Sequence, residues 1–154
     1  INAYKNGETY EYYILHISES SHPIFDFEKS IFFTMPHEDY LNKAGEGTNS
    51  LKDFISSQNK NIIQFKNNDA YLEQFEKHKK LQGERIGIIS KKVVVDASKI
   101  NTHMFRLMTH INNLSGYYVS EELKNKIQEQ NFTGMDFEPI TEINKVFDVE
   151  IINS

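Results

Sequence analysis

The feature that most constrains the fold of this chain is a short apolar strand that runs directly into a helix cap. Gly116–Val119 has the composition of a strand, and Ser120 follows as a residue whose hydroxyl can accept a hydrogen bond from the first helical turn. Glu121 and Glu122 then occupy positions where the helix dipole favours negative charge. The pattern predicts a strand that ends at a capped helix.

The residues after this helix predict a turn and a further strand. Gly134 lies where a chain that leaves a helix often needs a positive φ. Met135, Phe137 and Ile140 then predict a strand with one buried face. Together with a strand at residues 105–107, the C-terminal part is predicted as strand, strand, capped helix, glycine turn and strand.

Upstream of this part, apolar patterns predict a mixture of strands and helices. The predicted strands cover residues 10–17, 24–33, 62–65 and 85–95. An interruption of the second by a turn stays open, and the last is bent or split at Gly87 and at residues 90–92. The predicted helices begin at Pro36, at Asn49 or Ser50, and at Asn68 or Asp69, and the last of them ends near Gly83. The second carries Leu51, Phe54 and Ile55 at helical spacing. The tail from residue 143 stays open between strand and irregular structure. Since no strict strand–helix–strand alternation is present, we predict an α+β fold with a mixed, mainly antiparallel sheet and helices packed on one face.

Composition limits the classes of function. The chain has 154 residues, which fits one domain covering residues 1–154. A net charge of −5 gives no basic footprint for nucleic acid and suits either a basic protein partner or an ordinary solvated surface. The absence of cysteine excludes disulfides and thiol nucleophiles and fits a cytoplasmic protein, and no apolar run is long enough to cross a membrane.

The histidine and serine positions do not form a recognised catalytic or metal-binding motif. His37, Glu38 and Asp39 are adjacent in sequence and therefore point in different directions, which disfavours a shared metal ion. Ser120 lacks the flanking glycines of a nucleophile elbow, and N-capping accounts for it. We therefore predict no catalytic, metal-binding or cofactor-binding residue, and a protein that is not an enzyme.

Two stretches resemble a known family. The C-terminal stretch comprises Val-Val-Val-Asp-Ala-Ser-Lys-Ile at 93–100, Met-Phe-Arg-Leu at 104–107, Tyr-Val-Ser-Glu-Glu-Leu at 118–123 and Thr-Gly-Met-Asp-Phe-Glu-Pro-Ile at 133–140. The upstream stretch comprises Tyr-Tyr-Ile-Leu-His-Ile at 12–17 and Asp-Phe-Glu-Lys-Ser at 26–30. Both resemble a bacterial family first catalogued as a domain of unknown function and later described as immunity proteins of polymorphic toxin systems.

The resemblance implies a cytoplasmic toxin inhibitor that neutralises a cognate bacterial toxin by binding it, without catalysis. Family members usually carry a further N-terminal part, so we expect this chain to be a C-terminal fragment or a shorter relative. Residues 36–82 read as a variable insertion and are our prediction for partner specificity, because loops on a scaffold often carry binding. The predicted partner-binding residues are Glu38, Asp39, Tyr40, Glu46 and Asp53.

Two alternatives stay open. A small hydrolase would use histidine and carboxylates, and it would require a concave pocket that holds a histidine and two acids within hydrogen-bond reach. A self-associating structural module would form a homodimer through the aromatic strand at residues 10–17, since tyrosine is enriched at protein interfaces.

Overall fold

The computed structural model describes residues 2–5, 8–11, 24–80, 86–107, 116–132, 134–142 and 146–153. The strands are β1 (Asn2–Lys5), β2 (Glu8–Glu11), β3 (Ile31–Pro36), β4 (Ile62–Ile63), β5 (Ile86–Asp96), β6 (Met104–Leu107), β7 (Gly116–Val119) and β8 (Asp148–Ile152). The helices are α1 (His37–Gly45), α2 (Thr48–Ser57), α3 (Asn68–Lys80) and α4 (Glu121–Glu129), and Ala97–Lys99 forms a 3₁₀ turn.

The strands form one central sheet and two hairpins. The central sheet has the order β4–β3–β5–β8, and the pairs β1–β2 and β6–β7 are separate antiparallel hairpins. Within the central sheet β3 is antiparallel to β4 and β5, whereas β5 and β8 are parallel. Antiparallel pairing therefore dominates the described strands, and the predicted α+β fold with a mixed, mainly antiparallel sheet is confirmed.

The core is built on the aromatic side chains around β3. Phe32 and Phe33 are both buried, and since neighbouring strand residues point to opposite faces, both faces of the sheet are covered at this strand. The ring centroids of Phe65 and Tyr71 lie 5.2 and 5.5 Å from that of Phe32. Tyr71 belongs to α3, so the aromatic cluster fixes this helix over the Phe32 face of the sheet.

Strand β5 is one continuous element and is not split, and a bulge lies at residues 90–92, where the sequence predicts a bend or a split. Ile31 pairs with Lys92 while the next residue, Phe32, pairs with Ser90, so Lys91 has no partner residue on β3. The Lys91 ammonium donates hydrogen bonds to the Gln58 carbonyl and the Asn59 side chain, just after α2. The bulge thus directs a lysine toward the end of a helix, where a positive charge is favoured.

The loop before β3 replaces part of a predicted strand. Residues 24–33 are predicted as strand, but Phe25 forms only a single bridge to Val95, and a turn follows. The buried Ser30 hydroxyl donates to the Asp26 carbonyl at 2.6 Å and accepts the Val94 N–H at 2.9 Å, and these bonds tie the turn to β5. A strand cannot make this local bond to the residue four positions earlier, which explains why a turn interrupts the predicted strand.

The carboxyl group of Asp26 in this turn is partly buried and electrostatically stabilised. Burial raises its pKa, but hydrogen bonds from the Lys29 backbone and ammonium, together with the charges of Lys29 and Lys99, outweigh it. The net result is a pKa of Asp26 below its ordinary value.

The predicted starts of α2 and α3 need correction. The helix with Leu51 and Ile55 on its buried face is present, but its N-cap is Gly47 rather than Asn49 or Ser50. The Asn67 side chain accepts the Ala70 N–H at 2.9 Å, so α3 is capped one residue earlier than predicted. Pro36 precedes α1 as predicted, and the expected stop at Gly83 lies outside the described residues.

The C-terminal part follows the prediction up to the glycine turn. Gly134 has φ +83°, as predicted, but residues 135–139 are irregular and do not form the predicted strand. The open question about the tail is answered by β8, which pairs in parallel with β5. No helix in the described ranges is both long and apolar enough to cross a membrane.

Candidate functional site

The five residues predicted to bind a partner lie on α1 and α2 and on the connection between them. Only Glu46 and Gly47 separate the two helices, and Gly47 has φ +106°, a conformation that glycine adopts without steric cost. The helices contact each other and form a helical hairpin, which we call the α1–α2 hairpin.

The carboxylate of Glu46 is already engaged within the α1–α2 hairpin. Its oxygens accept hydrogen bonds from the Lys43 ammonium at 2.8 Å and the Ser50 hydroxyl at 2.7 Å. These bonds lower the pKa of Glu46. The Lys43 ammonium also lies 5.9 Å from the centre of the Phe54 ring. Glu46 therefore stabilises the connection and has less of its charge available to a partner.

Glu38, Asp39 and Asp53 are exposed and differ from Glu46 in their surroundings. No ion pair joins any of them to a basic side chain in the part of the chain that the structure describes. Glu38 and Asp39 lie in the first turn of α1, where the helix dipole favours them. Asp53 lies in the middle of α2, beyond the first turn, so the helix dipole does not stabilise its charge.

Tyr40 is a supporting residue rather than an exposed one. Its ring is half-buried against the core and lies 6.5 Å from the His37 ring, nearly parallel to it. Burial raises the pKa of the Tyr40 hydroxyl. The five predicted residues therefore share the α1–α2 hairpin but differ in their surroundings.

A second surface feature was not predicted from the sequence. An open groove of about 920 Å³ lies beside the β6–β7 hairpin, and we call it the hairpin groove. Its walls come from the 3₁₀ turn and the residues after it, from β6 and β7, from the start of α4 and from residues 136–141. The Tyr117 ring at its edge is 62% exposed, whereas Tyr118 is half-buried and stacks on Phe105 at 5.4 Å.

The charged side chains among the described lining residues of the hairpin groove are mainly acidic. Glu121 lines the groove but is paired with Lys124 at 2.7 Å. Asp136 and Glu138 also line it, are exposed, and have no ion-pair partner within the described ranges. Between them Phe137 is half-buried. The sequence signal for this wall is the alternation of acid, phenylalanine, acid and proline at residues 136–139, which by itself is also typical of a strand with one solvated face.

The helix cap brings a histidine, a serine and a glutamate close together at one end of the hairpin groove. The Ser120 hydroxyl accepts the Leu123 N–H at 3.1 Å, which confirms the predicted N-cap. His103 Nδ1 lies 2.9 Å from the same hydroxyl, and His103 Nε2 lies 3.9 Å from a Glu122 carboxylate oxygen. The second distance is too long for a hydrogen bond.

This arrangement meets the criterion set for a hydrolase only in part. The groove contains a histidine and several acids, but none of the described acids is within hydrogen-bond reach of His103. Glu122 is bound to the Lys126 ammonium at 2.6 Å, and this contact lowers the pKa of Glu122. His103 and Glu122 are 63% and 58% exposed, so water competes for both side chains.

The remaining histidines are scattered. His37 lies at the start of α1, and His78 on α3 contacts Gln74. His16, His22 and His110 lie outside the described residues. In the described ranges, no group of three or more histidine, aspartate or glutamate side chains is arranged to hold a metal ion.

Comparison with known proteins adds no relative to these observations. No family model matches the chain, and neither a curated protein nor a solved structure is significantly similar to it. The resemblance to immunity proteins, the variable insertion at residues 36–82 and the expected N-terminal part therefore stay predictions.

Proposed function

We propose that this protein is an immunity protein that binds a cognate bacterial toxin and neutralises it by occlusion, without catalysis. The motif resemblance supplies the class of partner. The structural observation that carries the proposal is the unpaired negative charge of the α1–α2 hairpin, at Glu38, Asp39 and Asp53.

The other helices show why this charge is informative. On α3 and α4, Glu73, Glu121 and Glu122 each pair with a lysine one turn further along the helix. The carboxylates of Glu38 and Asp53 instead face solvent without such a lysine. Exposed charge of one sign raises the rate at which an oppositely charged partner associates, and it requires no rearrangement of the chain.

Co-expression tests this proposal. The chain is expressed with the toxin candidate encoded beside it, and survival of the host and co-elution on size exclusion are measured. We expect protection and a stable complex. Persistent toxicity together with separate elution of the two proteins would contradict the proposal.

A charge-neutral variant tests the assigned surface. We expect E38Q/D39N/D53N to lower the association rate about tenfold at low salt, because the steering charge is removed. The matched control, D69N/E129Q/D148N, removes the same number of exposed carboxylates elsewhere and should associate like the wild type. Circular dichroism checks that both variants are folded. Equal association rates for all three proteins would remove the α1–α2 hairpin from the interface.

A second candidate function is favoured by one observation, the 2.9 Å contact between His103 and Ser120. In a serine hydrolase the histidine would take the hydroxyl proton as the serine attacks a carbonyl. Against this role, the Ser120 oxygen already accepts the Leu123 N–H as a helix cap. A fluorophosphonate probe distinguishes the two: labelling of Ser120 that disappears in H103Q would establish a hydrolase, and no labelling is expected of an immunity protein.

The third candidate, a homodimer through residues 10–17, stays a prediction because only its first two residues are described, as the end of β2. Light scattering of the isolated chain tests it directly, and a monomer at all concentrations would exclude it.

A further inference from the structure

We propose that the hairpin groove receives an extended segment of the partner protein that carries lysine or arginine, and that this segment adds as a strand along the outer edge of β7. The inference rests on the proposed function for the identity of the partner. The nature of the segment follows from the backbone and the charges of the groove.

The groove is not confined to one face of β7. Tyr117, Tyr118 and Val119 all line it, although they are consecutive residues of one strand. Since alternate side chains of a strand point to opposite faces, a groove lined by all three extends beyond a single face of the strand, which favours contact with its edge. Among the described strands, β7 pairs only with β6, so this edge is the outer one.

The hydrogen-bonding pattern between β6 and β7 shows which backbone groups the outer edge of β7 presents. The Ser120 N–H donates to the His103 carbonyl at 2.8 Å, so this pair of residues is hydrogen-bonded across the hairpin. Opposed residues of an antiparallel pair alternate between hydrogen-bonded and non-hydrogen-bonded positions. Tyr117 and Val119 therefore direct their N–H and C=O groups away from β6, which is the arrangement that accepts an added strand.

The acidic residues of the lining set the charge of the segment. Asp136 and Glu138 are two residues apart, exposed, and without an ion-pair partner in the described part of the chain. The one lysine among the described lining residues, Lys124, is paired with Glu121. An entering segment therefore meets the backbone groups of β7 and two unpaired carboxylates, which matches an extended segment with basic side chains.

A pair of short peptides tests the inference without the toxin. The probe is acetyl-Val-Arg-Val-Arg-Val-amide, and the matched peptide has glutamate in place of arginine. We expect the arginine peptide to shift the backbone amide resonances of Tyr117 and Val119 in the folded chain, and the glutamate peptide to shift neither. An arginine peptide with N-methylated valines should bind at least tenfold more weakly, because its valine nitrogens can no longer donate hydrogen bonds to the backbone of β7.

Charge-neutral variants test the acidic residues of the groove. D136N/E138Q should bind the arginine peptide about three- to tenfold more weakly, since each exposed ion pair contributes little. D69N/E129Q removes two exposed charges outside the groove and should bind it like the wild type. Equal binding of both peptides, equal loss in both variants, or no shifts at millimolar peptide would overturn the inference.

Two further outcomes have a defined meaning. Shifts of Tyr117 and Val119 on dilution of the chain alone would show that a second copy occupies the edge, and they would overturn the inference. If the chain neutralises the toxin but D136N/E138Q neutralises it equally well, the groove inference fails while the proposed function holds. If the peptide binds as expected but the chain gives no protection, the proposed function fails and the groove is still a binding site for a basic segment.

Discussion

Replacing Ser120 by alanine tests whether this residue is a helix cap. The change removes the acceptor of the Leu123 N–H bond at 3.1 Å and leaves one amide of the first turn of α4 without a protein partner. Serine-to-alanine changes at an N-cap cost about 1 kcal/mol. The contact with His103 lies on an exposed side chain and adds little to this figure.

Urea unfolding measures the effect of this substitution. With a slope of about 2 kcal/mol per molar urea, a loss of about 1 kcal/mol lowers the midpoint by about 0.5 M. S120N should recover most of the loss, because asparagine caps about as well as serine. The control S57A removes an exposed hydroxyl that donates to the Phe54 carbonyl at the end of α2, and it should leave the midpoint within about 0.2 M.

Two results would refute the capping argument. One is a midpoint for S120A equal to that of the wild type. The other is an S120N variant as unstable as S120A, which would mean that the hydroxyl acts through His103 rather than through the helix amide.

Three further predictions concern stability. S30A should destabilise the chain by about 1–3 kcal/mol in urea unfolding, because it leaves the buried Val94 N–H without an acceptor, and a change below about 0.5 kcal/mol would contradict this. G134A should cost about 1 kcal/mol because Gly134 has φ +83°, whereas G45A, at a helical position with nothing within 4 Å of an added Cβ, should be neutral or slightly stabilising; equal effects would refute the backbone argument. Since the folded pKa of Asp26 lies below its ordinary value of 3.8, the stability advantage of the wild type over D26N should be full above that pH and disappear as the pH falls through the folded pKa; an advantage that persists in acid would contradict the assignment.

The sequence predicted most where local patterns decide the structure. Ser120, Gly134 and the buried residues of α2 follow from capping, backbone conformation and helical spacing, and all three were confirmed. These signals act within a few residues and need no knowledge of the tertiary fold.

The sequence predicts least where contacts between segments distant along the chain decide the structure. Residues 135–140 have strand-like alternation, but the segment is irregular beside the hairpin groove. The turn at Asp26 depends on Ser30 bonding to β5, which is 64 residues further along the chain. The hairpin groove was missed for the same reason, since its walls come from segments that are not adjacent in sequence.

The site prediction was limited in a different way. The sequence predicts that Glu38, Asp39, Tyr40, Glu46 and Asp53 bind a partner because they lie in a variable segment. The structure separates them by environment: Glu46 is bound to Lys43 and Tyr40 is half-buried. Such differences depend on which side chains meet in space, and composition alone does not contain them.

Co-elution of the chain with the toxin encoded beside it, measured by size exclusion with light scattering, tests the central claim most directly. We expect a stable complex whose formation slows with salt and with E38Q/D39N/D53N, and a host that survives the toxin only when the chain is present. Separate elution with undiminished toxicity would contradict it.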